Sequence, residues 1–361
     1  MTTLDLTPTS ASTTHRPKRW PLTFWLGLAL MLLCEALLFT DMAWSNRGHI
    51  RTEAERWAIA APQGHLASFA RWVAVNMTAL VWISYLIFLE GLLTKLTGAS
   101  PVRRRPHHFA LLFLASVFIW AVFDMINFNL GMRAWVYIGI PGARDDAGLL
   151  INHGPGYWTG LIVDRGPGYF LAFGSVVPGM LLTGQVLLEL GLFNWAQRRT
   201  TPSQTTGGGT SVPLTPYRTL AISFLIGLAM IAWVILARTP ITNFVLWTSL
   251  VFLLDPINYL LGRPSMFRDW QRGWFGRTLA ACAGGLICGF LWEFWNYWAL
   301  TKWVYKLPFL GVTEHYRYFE MPLIGLMGFI PFGMECWVMW QFMRAKFEGL
   351  VEELPSQKAL L

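Results

Sequence analysis

Eight stretches of almost uncharged apolar sequence, each about the 20 residues that an α-helix needs to cross a hydrocarbon core, constrain this chain more than any other feature. They are centred on residues 21–40, 67–93, 109–130, 169–193, 219–237, 241–262, 278–300 and 320–344. Only 13% of the 361 residues are charged, about half the share of a soluble domain, so a soluble globule is excluded as the fold class. The pattern predicts an all-α polytopic membrane bundle of about eight transmembrane helices. The first run follows Arg16, Lys18 and Arg19, is long for a signal peptide and lacks a small-x-small cleavage site, so it reads as a retained helix.

The remaining sequence divides the bundle. Residues 1–19 are rich in Thr and Ser and read as a disordered tail. Residues 20–196 hold helices 1–4, and 218–345 hold helices 5–8. Between them, 197–217 contains GlnArgArgThrThr and GlyGlyGlyThr and reads as a flexible linker; 346–361 is a short charged tail. Lys and Arg concentrate on the side that carries both termini and the 2–3, 4–5 and 6–7 loops. That bias places both termini in the cytoplasm, with a bacterial inner (plasma) membrane as the setting. The net charge of +8 is accounted for by this anchoring. No basic tract interleaves with stacking aromatics in a soluble segment, so a nucleic-acid partner is not expected; the partner is the lipid bilayer.

Three short motifs recur near helix ends, each an acid, two residues, then Asn and an aromatic residue: Asp124-Met-Ile-Asn127-Phe128, Asp255-Pro-Ile-Asn258-Tyr259 and Glu293-Phe-Trp295-Asn296-Tyr297. In a helix, i and i+3 share a face, so each acid stands about one turn from its amide. Trp135-Val-Tyr137 follows the first motif and Trp303-Val-Tyr305 the last. Phe24-Trp-Leu-Gly27-Leu-Ala resembles Phe224-Leu-Ile-Gly227-Leu-Ala, and Pro178-Gly-Met180 resembles Pro331-Phe-Gly-Met334. These matches predict two copies of four helices in the same orientation. The likeness of the Asp124 and Asp255 motifs, each running on to a Leu-Gly, leaves a three-helix inverted repeat as the alternative.

Ionisable groups within a membrane span face the bundle interior or a cavity. Glu35, Asp124, Glu293 and Glu320 fall in the outer half, and Glu90, Asp255 and Glu335 in the inner half; along one helix, Glu320 and Glu335 would lie about 22 Å apart. A carboxyl in an apolar pocket can serve as a general acid. The candidate catalytic residues are therefore Glu293 and Asp124, with Asn296 and Asn127 to hold geometry and Glu335 four residues after Pro331. Trp295, Tyr297, Trp303, Tyr305, Trp135 and Tyr137, with Glu320 and Glu35, are candidates to line an apolar ligand or to stabilise a cation on ring faces. Asp255 and Asn258 form a secondary polar site. The competing readings are packing glue for the acid-amide pairs and an interfacial aromatic belt for the Trp-Val-Tyr segments. The two Gly-Pro-Gly-Tyr copies, 154–157 and 166–169, read as turns, and Pro178 and Pro331 as helix kinks. The seven histidines fall outside the expected spans, and no phosphate loop or metal motif is present, so neither cofactor nor metal is expected.

At the level of these motifs the chain resembles the membrane-integral carotenoid (lycopene) cyclase-domain family. The residues that carry the resemblance are Asp124, Asn127, Phe128, Trp135 and Tyr137 in one copy. In the other they are Glu293, Asn296, Tyr297, Trp303, Tyr305, Pro331 and Glu335. The family's paired glutamates after the proline are replaced by a single one, Glu335, and the Pro178 segment has none. The resemblance implies a cofactor-free cyclisation of an isoprenoid polyene, begun by protonation of a double bond. The alternatives from other classes are a proton- or cation-coupled transporter or channel and a membrane scaffold.

Overall fold

A computed structural model describes residues 17–139, 166–196, 216–306, 316–348 and 360. Among them are eight helices long and apolar enough to cross a membrane, and the protein is a multi-pass α-helical membrane protein. We label these helices α1 (Leu22–Trp44), α2 (Met77–Thr97), α3 (Pro106–Asn129), α4 (Gly166–Glu189), α5 (Tyr217–Ala237), α6 (Thr242–Leu260), α7 (Gly276–Trp298) and α8 (Phe329–Glu348). Two four-residue strands, β1 (Trp135–Ile138) and β2 (Lys302–Tyr305), follow α3 and α7. The linker at 197–215, the first Gly-Pro-Gly-Tyr and most of both terminal tails lie outside the described residues.

The packing order is the same in the two halves. Helix α1 packs on α2, α2 on α4, and α4 on α3; α5 packs on α6, α6 on α8, and α8 on α7. The halves join chiefly where α7 crosses α4. Helix α4 is the most enclosed and α1 and α5 the least, so the latter two turn most of their apolar surface outward, towards lipid.

Glycine makes these crossings possible. Lipid tails are as apolar as Leu, so helices in a bilayer gain from close backbone approach rather than from hiding apolar surface. A Cβ on Gly27 of α1 would collide with the backbone of Ser84 and Phe88 on α2, and one on Gly227 of α5 with the backbone of Leu253 on α6. Adjacent glycines of α7 serve two neighbours. Gly284 lies against Met180 and Gly184 of α4, and Gly285 against Phe329 and Gly333 of α8.

Several boundaries depart from the sequence expectations. The second span is preceded by a separate helix, His65–Val75, and the two are broken at Asn76, whose side chain donates back to Trp72 O (2.8 Å) and competes with the backbone ladder. The third span begins earlier, at Pro106, which suits the first helical position because its missing N–H would have no partner there. His107 and His108 consequently lie within a span rather than outside all of them. The second Gly-Pro-Gly-Tyr forms the opening turn of α4 and not a loop, for the same reason. Pro331 falls in the first turn of α8, where no hydrogen bond is lost and no kink is required. Pro178 does interrupt a helix. There the Ser116 hydroxyl of α3 accepts from Val177 N (3.0 Å) and donates to Phe173 O (2.5 Å), filling the gap in the ladder. Glu320 is not in a span at all. It sits in the two-residue turn between Arg317–Tyr318 and Met321–Pro322, so a distance to Glu335 measured along one helix does not apply.

If the glycine crossings hold the bundle, Gly284→Ala lowers unfolding free energy by about 1–3 kcal/mol through overpacking. Gly48→Ala, whose Cβ would meet nothing within 4 Å, stays within about 0.5 kcal/mol. Unfolding in mixed micelles by SDS titration measures both.

Candidate functional site

Helices α3 and α7 end alike. Each carries an acid and an Asn on one face in its last turns, then the chain leaves the helix and folds back as a strand. Buried backbone that leaves a helix must find other hydrogen-bond partners. The asparagines supply them. Asn127 Oδ1 accepts from Ala134 N (2.7 Å), and its Nδ2 donates to Trp135 O (2.9 Å). Asn296 Oδ1 accepts from Trp303 N (3.0 Å), and its Nδ2 donates to Trp303 O (2.9 Å). Both amides are fully buried. They clasp backbone and are positioning residues, as the glue reading anticipates for the amides.

The clasped strands then pair with each other, antiparallel, with Trp135 opposite Tyr305 and Tyr137 opposite Trp303. Side chains alternate along a strand and directly opposed residues share a face, so Trp135, Tyr137, Trp303 and Tyr305 all project to one side of the ribbon. These residues are buried or half-buried and face the bundle, which excludes a lipid-facing belt. Tyr137 and Tyr305 are diagonal neighbours, about 7–8 Å apart along the ribbon.

Each tyrosine hydroxyl meets the acid of its own half. Tyr137 OH donates to Asp124 Oδ1 (3.0 Å) and accepts from Trp120 Nε1 (3.2 Å). Tyr305 OH donates to Glu293 Oε1 (2.9 Å) and accepts from Trp303 Nε1 (2.9 Å). Asp124 also receives Trp135 Nε1 (3.1 Å), whereas Glu293 Oε2 is buried without a hydrogen-bond partner. Burial, with the acid alongside, pushes both phenols well above their ordinary range, so both remain O–H donors.

Two spaces with shared wall residues adjoin the tyrosines. A small chamber of about 20 Å³ lies among Trp120, Trp135, Trp247, Trp292 and Trp303, bordered by Tyr305 and the Phe329 and Phe332 rings. Sharing Trp120, Trp292 and Trp303 with it is a narrow cleft of about 60 Å³ that runs past Tyr137 to the start of α2 and α4. Neither acid lines either space; each stands one hydrogen bond behind a tyrosine that does.

The other candidates lie elsewhere. Trp295 donates to Glu35 Oε1 (3.0 Å) and packs on Trp82 and Tyr85, turned towards α1 and α2 and away from the chamber. Tyr297 stacks on His49 at 3.7 Å. Asp255 accepts from Met266 N (2.8 Å) and Phe267 N (3.0 Å) at the opposite end of the bundle, and Asn258 donates to Val338 O (3.1 Å), so this third motif binds the following short helix and α8. Glu335 Oε1 accepts from Leu250 N (2.9 Å) of α6, one turn below Phe332. Among the described residues no group of three His, Cys, Asp or Glu is placed to hold a metal.

Glu320 belongs to a buried ionic cluster beneath the ribbon. It accepts from Lys302 Nζ (2.8 Å), is bonded by His49 and lies 3.4 Å from Arg51 Nε. Burial by itself would raise this carboxyl, but the His49 hydrogen bond and the Lys302 charge outweigh it and bring it down to about 2. Sequence reading missed Lys302, His49 and the wall residues Trp120 and Trp292. Trp120 had a signal, since it stands one turn from Asp124 on the same face of α3. His49 had none, because its contact with Glu320 spans 271 residues.

No protein-family model, curated protein or solved structure matches the chain, so its own geometry carries the functional argument.

Two measurements test the site. Asn296→Ala leaves a buried N–H and C=O of Trp303 without partners and costs about 1–3 kcal/mol per group in the same SDS titration. The Glu320 carboxylate, lowered from its ordinary 4.5 to about 2, contributes stability that is complete above about pH 4.5 and is lost as pH falls towards 2. Glu320→Gln removes that part of the acid unfolding profile.

Proposed function

We propose that the protein is a membrane-embedded enzyme that cyclises or isomerises a long apolar isoprenoid by protonating one of its double bonds, without a cofactor. The observation that carries this reading is the pair of acid–tyrosine couples held on one face of the ribbon, beside an aromatic-walled chamber. The resemblance to carotenoid cyclase-domain proteins leads to the same chemistry by a separate route.

In the proposed reaction the Tyr305 hydroxyl turns from Glu293 to the substrate; Glu293, in its acid form, then passes its proton to the Tyr305 oxygen while Tyr305 delivers its own proton to the substrate double bond. The carbocation that results is held against the ring faces of Trp120, Trp292 and Trp303, whose quadrupoles attract positive charge. A neighbouring double bond supplies the electron pair for the new C–C bond. A proton then leaves the adjacent carbon for the Tyr137–Asp124 couple, and the product has the same mass as the substrate. The two couples suit these different tasks. Asp124 receives both the Trp135 indole and the Tyr137 hydroxyl, the setting of an accepting carboxylate, while Glu293 Oε2 is buried without a hydrogen-bond partner. The shared packing order of the two halves, and the matching Gly27 and Gly227 crossings, support a duplicated four-helix unit whose copies each contribute one couple. The charge bias supports cytoplasmic termini and a bacterial inner membrane.

A transporter reading requires a polar route from these acids to Asp255 or Glu335. Asp255 is spent on two backbone N–H groups, and neither residue lines the cleft or the chamber.

Lipid extracts of polyprenoid-producing cells that carry wild type, Glu293→Gln or a deletion test the proposal by mass spectrometry. The expected outcome is an isomer of equal mass made by wild type, with turnover lowered at least about 100-fold in Glu293→Gln at equal protein level. Indistinguishable lipid profiles across the three strains would overturn it.

A further inference from the structure

The cleft changes in polarity along its length. Its inner part is walled by Phe173, Val176, Trp120 and Trp292, and shares Trp120, Trp292 and Trp303 with the aromatic chamber. Its outer part is bordered by Asn76, Thr78, Thr301 and Lys302, all at helix or strand ends. Most of this polar edge is already engaged. Asn76 donates to Trp72 O, and the Lys302 ammonium is held by Glu320 and by Tyr297 O (2.9 Å). Two groups are not engaged: Thr78 Oγ1 and Thr301 Oγ1 are buried and have no hydrogen-bond partner. A buried hydroxyl without a partner costs free energy that a ligand oxygen can recover.

We propose that the outer end of the cleft is a subsite for a neutral oxygen function, a hydroxyl or carbonyl, on one end of an isoprenoid whose hydrocarbon part extends into the aromatic chamber. The inference rests on the enzymatic reading above and narrows its substrate class to end-oxygenated isoprenoids. Neutral oxygen is favoured over phosphate or carboxylate by the charges present. Both cations near this edge already face a carboxylate: Lys302 is held by Glu320, and Arg56, which lies beside Thr301, stands 3.9 Å from Glu53, so an added anion would compete with a carboxylate at either one. Threonine hydroxyls both donate and accept, and so serve an alcohol or a ketone equally.

The test is competitive photolabelling of the full chain in lipid nanodiscs. A diazirine-bearing farnesol analogue is the label, intact-mass spectrometry the readout, and farnesol and farnesene (the same carbon skeleton with and without the hydroxyl) are the competitors. Wild type is expected to favour farnesol about five- to tenfold, the worth of one to two neutral hydrogen bonds. The near-isosteric double variant Thr78→Val/Thr301→Val brings the ratio close to one and leaves farnesene competition unchanged. Thr78→Ser/Thr301→Ser, which keeps both hydroxyls, retains the preference. Equal competition by the two compounds in wild type overturns the subsite, as does a preference that survives in the valine variant. The two readings fail separately. Loss of the subsite with Glu293-dependent turnover intact removes only the substrate assignment. A hydroxyl preference in a protein whose lipid conversion ignores Glu293→Gln keeps the oxygen site and removes the enzyme.

Discussion

The clasp of Asn127 and Asn296 on the returning backbone is the interaction on which the central architecture depends. Membrane interiors tolerate helices because a helix satisfies its own backbone. Once α3 and α7 end, four residues on each side become strands whose backbone polar groups are buried in the bundle and need partners within the protein. One amide in each half accepts from and donates to this backbone, and pairing of the two strands takes up much of the rest. Everything else at the centre follows from the register this sets. Trp135, Tyr137, Trp303 and Tyr305 share a face only because the strands pair as they do, and each tyrosine reaches its acid because acid and amide lie three residues apart on one helix.

The ribbon also explains how polar chemistry and apolar walls coexist. Its inner face carries the tyrosines that touch the acids. Beneath it, Lys302, Glu320 and His49 form an ionic cluster that fixes β2 to the Arg317–Pro322 hairpin. The hairpin turn places Phe319 at a positive φ of 54°, a conformation uncommon for a bulky residue, and packing against Phe294, Tyr297 and Trp298 holds it there. That arrangement pairs the Glu320 charge with Lys302 and His49, whereas the two acids of the helix-end motifs stand behind tyrosines.

How much of this was legible in the sequence depends on the range of the interaction. The eight spans were legible because length and apolarity are local. The acid-amide spacing identified Asp124, Asn127, Glu293 and Asn296 as a set, and the structure does bring both halves of that set to one ribbon. The roles within the motif were not legible, because Asn127 acts on a backbone seven and eight residues away whose path no local pattern specifies. The third motif shows the same limit. Asp255 and Asn258 have the same spacing as the other two, yet proline follows the acid and the next segment is a short helix, so the carboxylate meets helical N–H groups instead of a tyrosine. Glu320 was placed in a helix because apolar residues follow it, and the hairpin that holds it depends on Lys302 and His49, both distant in the sequence. Trp295 shares the apolar richness of its neighbours, but helical rotation turns it towards Trp82 on α2.

In the proposed reaction a proton enters the substrate through Tyr305 and Glu293 and another leaves to Tyr137 and Asp124. The most direct measurement is turnover of an isoprenoid substrate by the purified protein in deuterated water, with product mass and label position read by mass spectrometry and NMR. The account predicts one deuterium per new ring, on the carbon that accepted the proton, and no change in the rest of the skeleton. A product without deuterium, or no conversion of any isoprenoid by a folded protein, would contradict it.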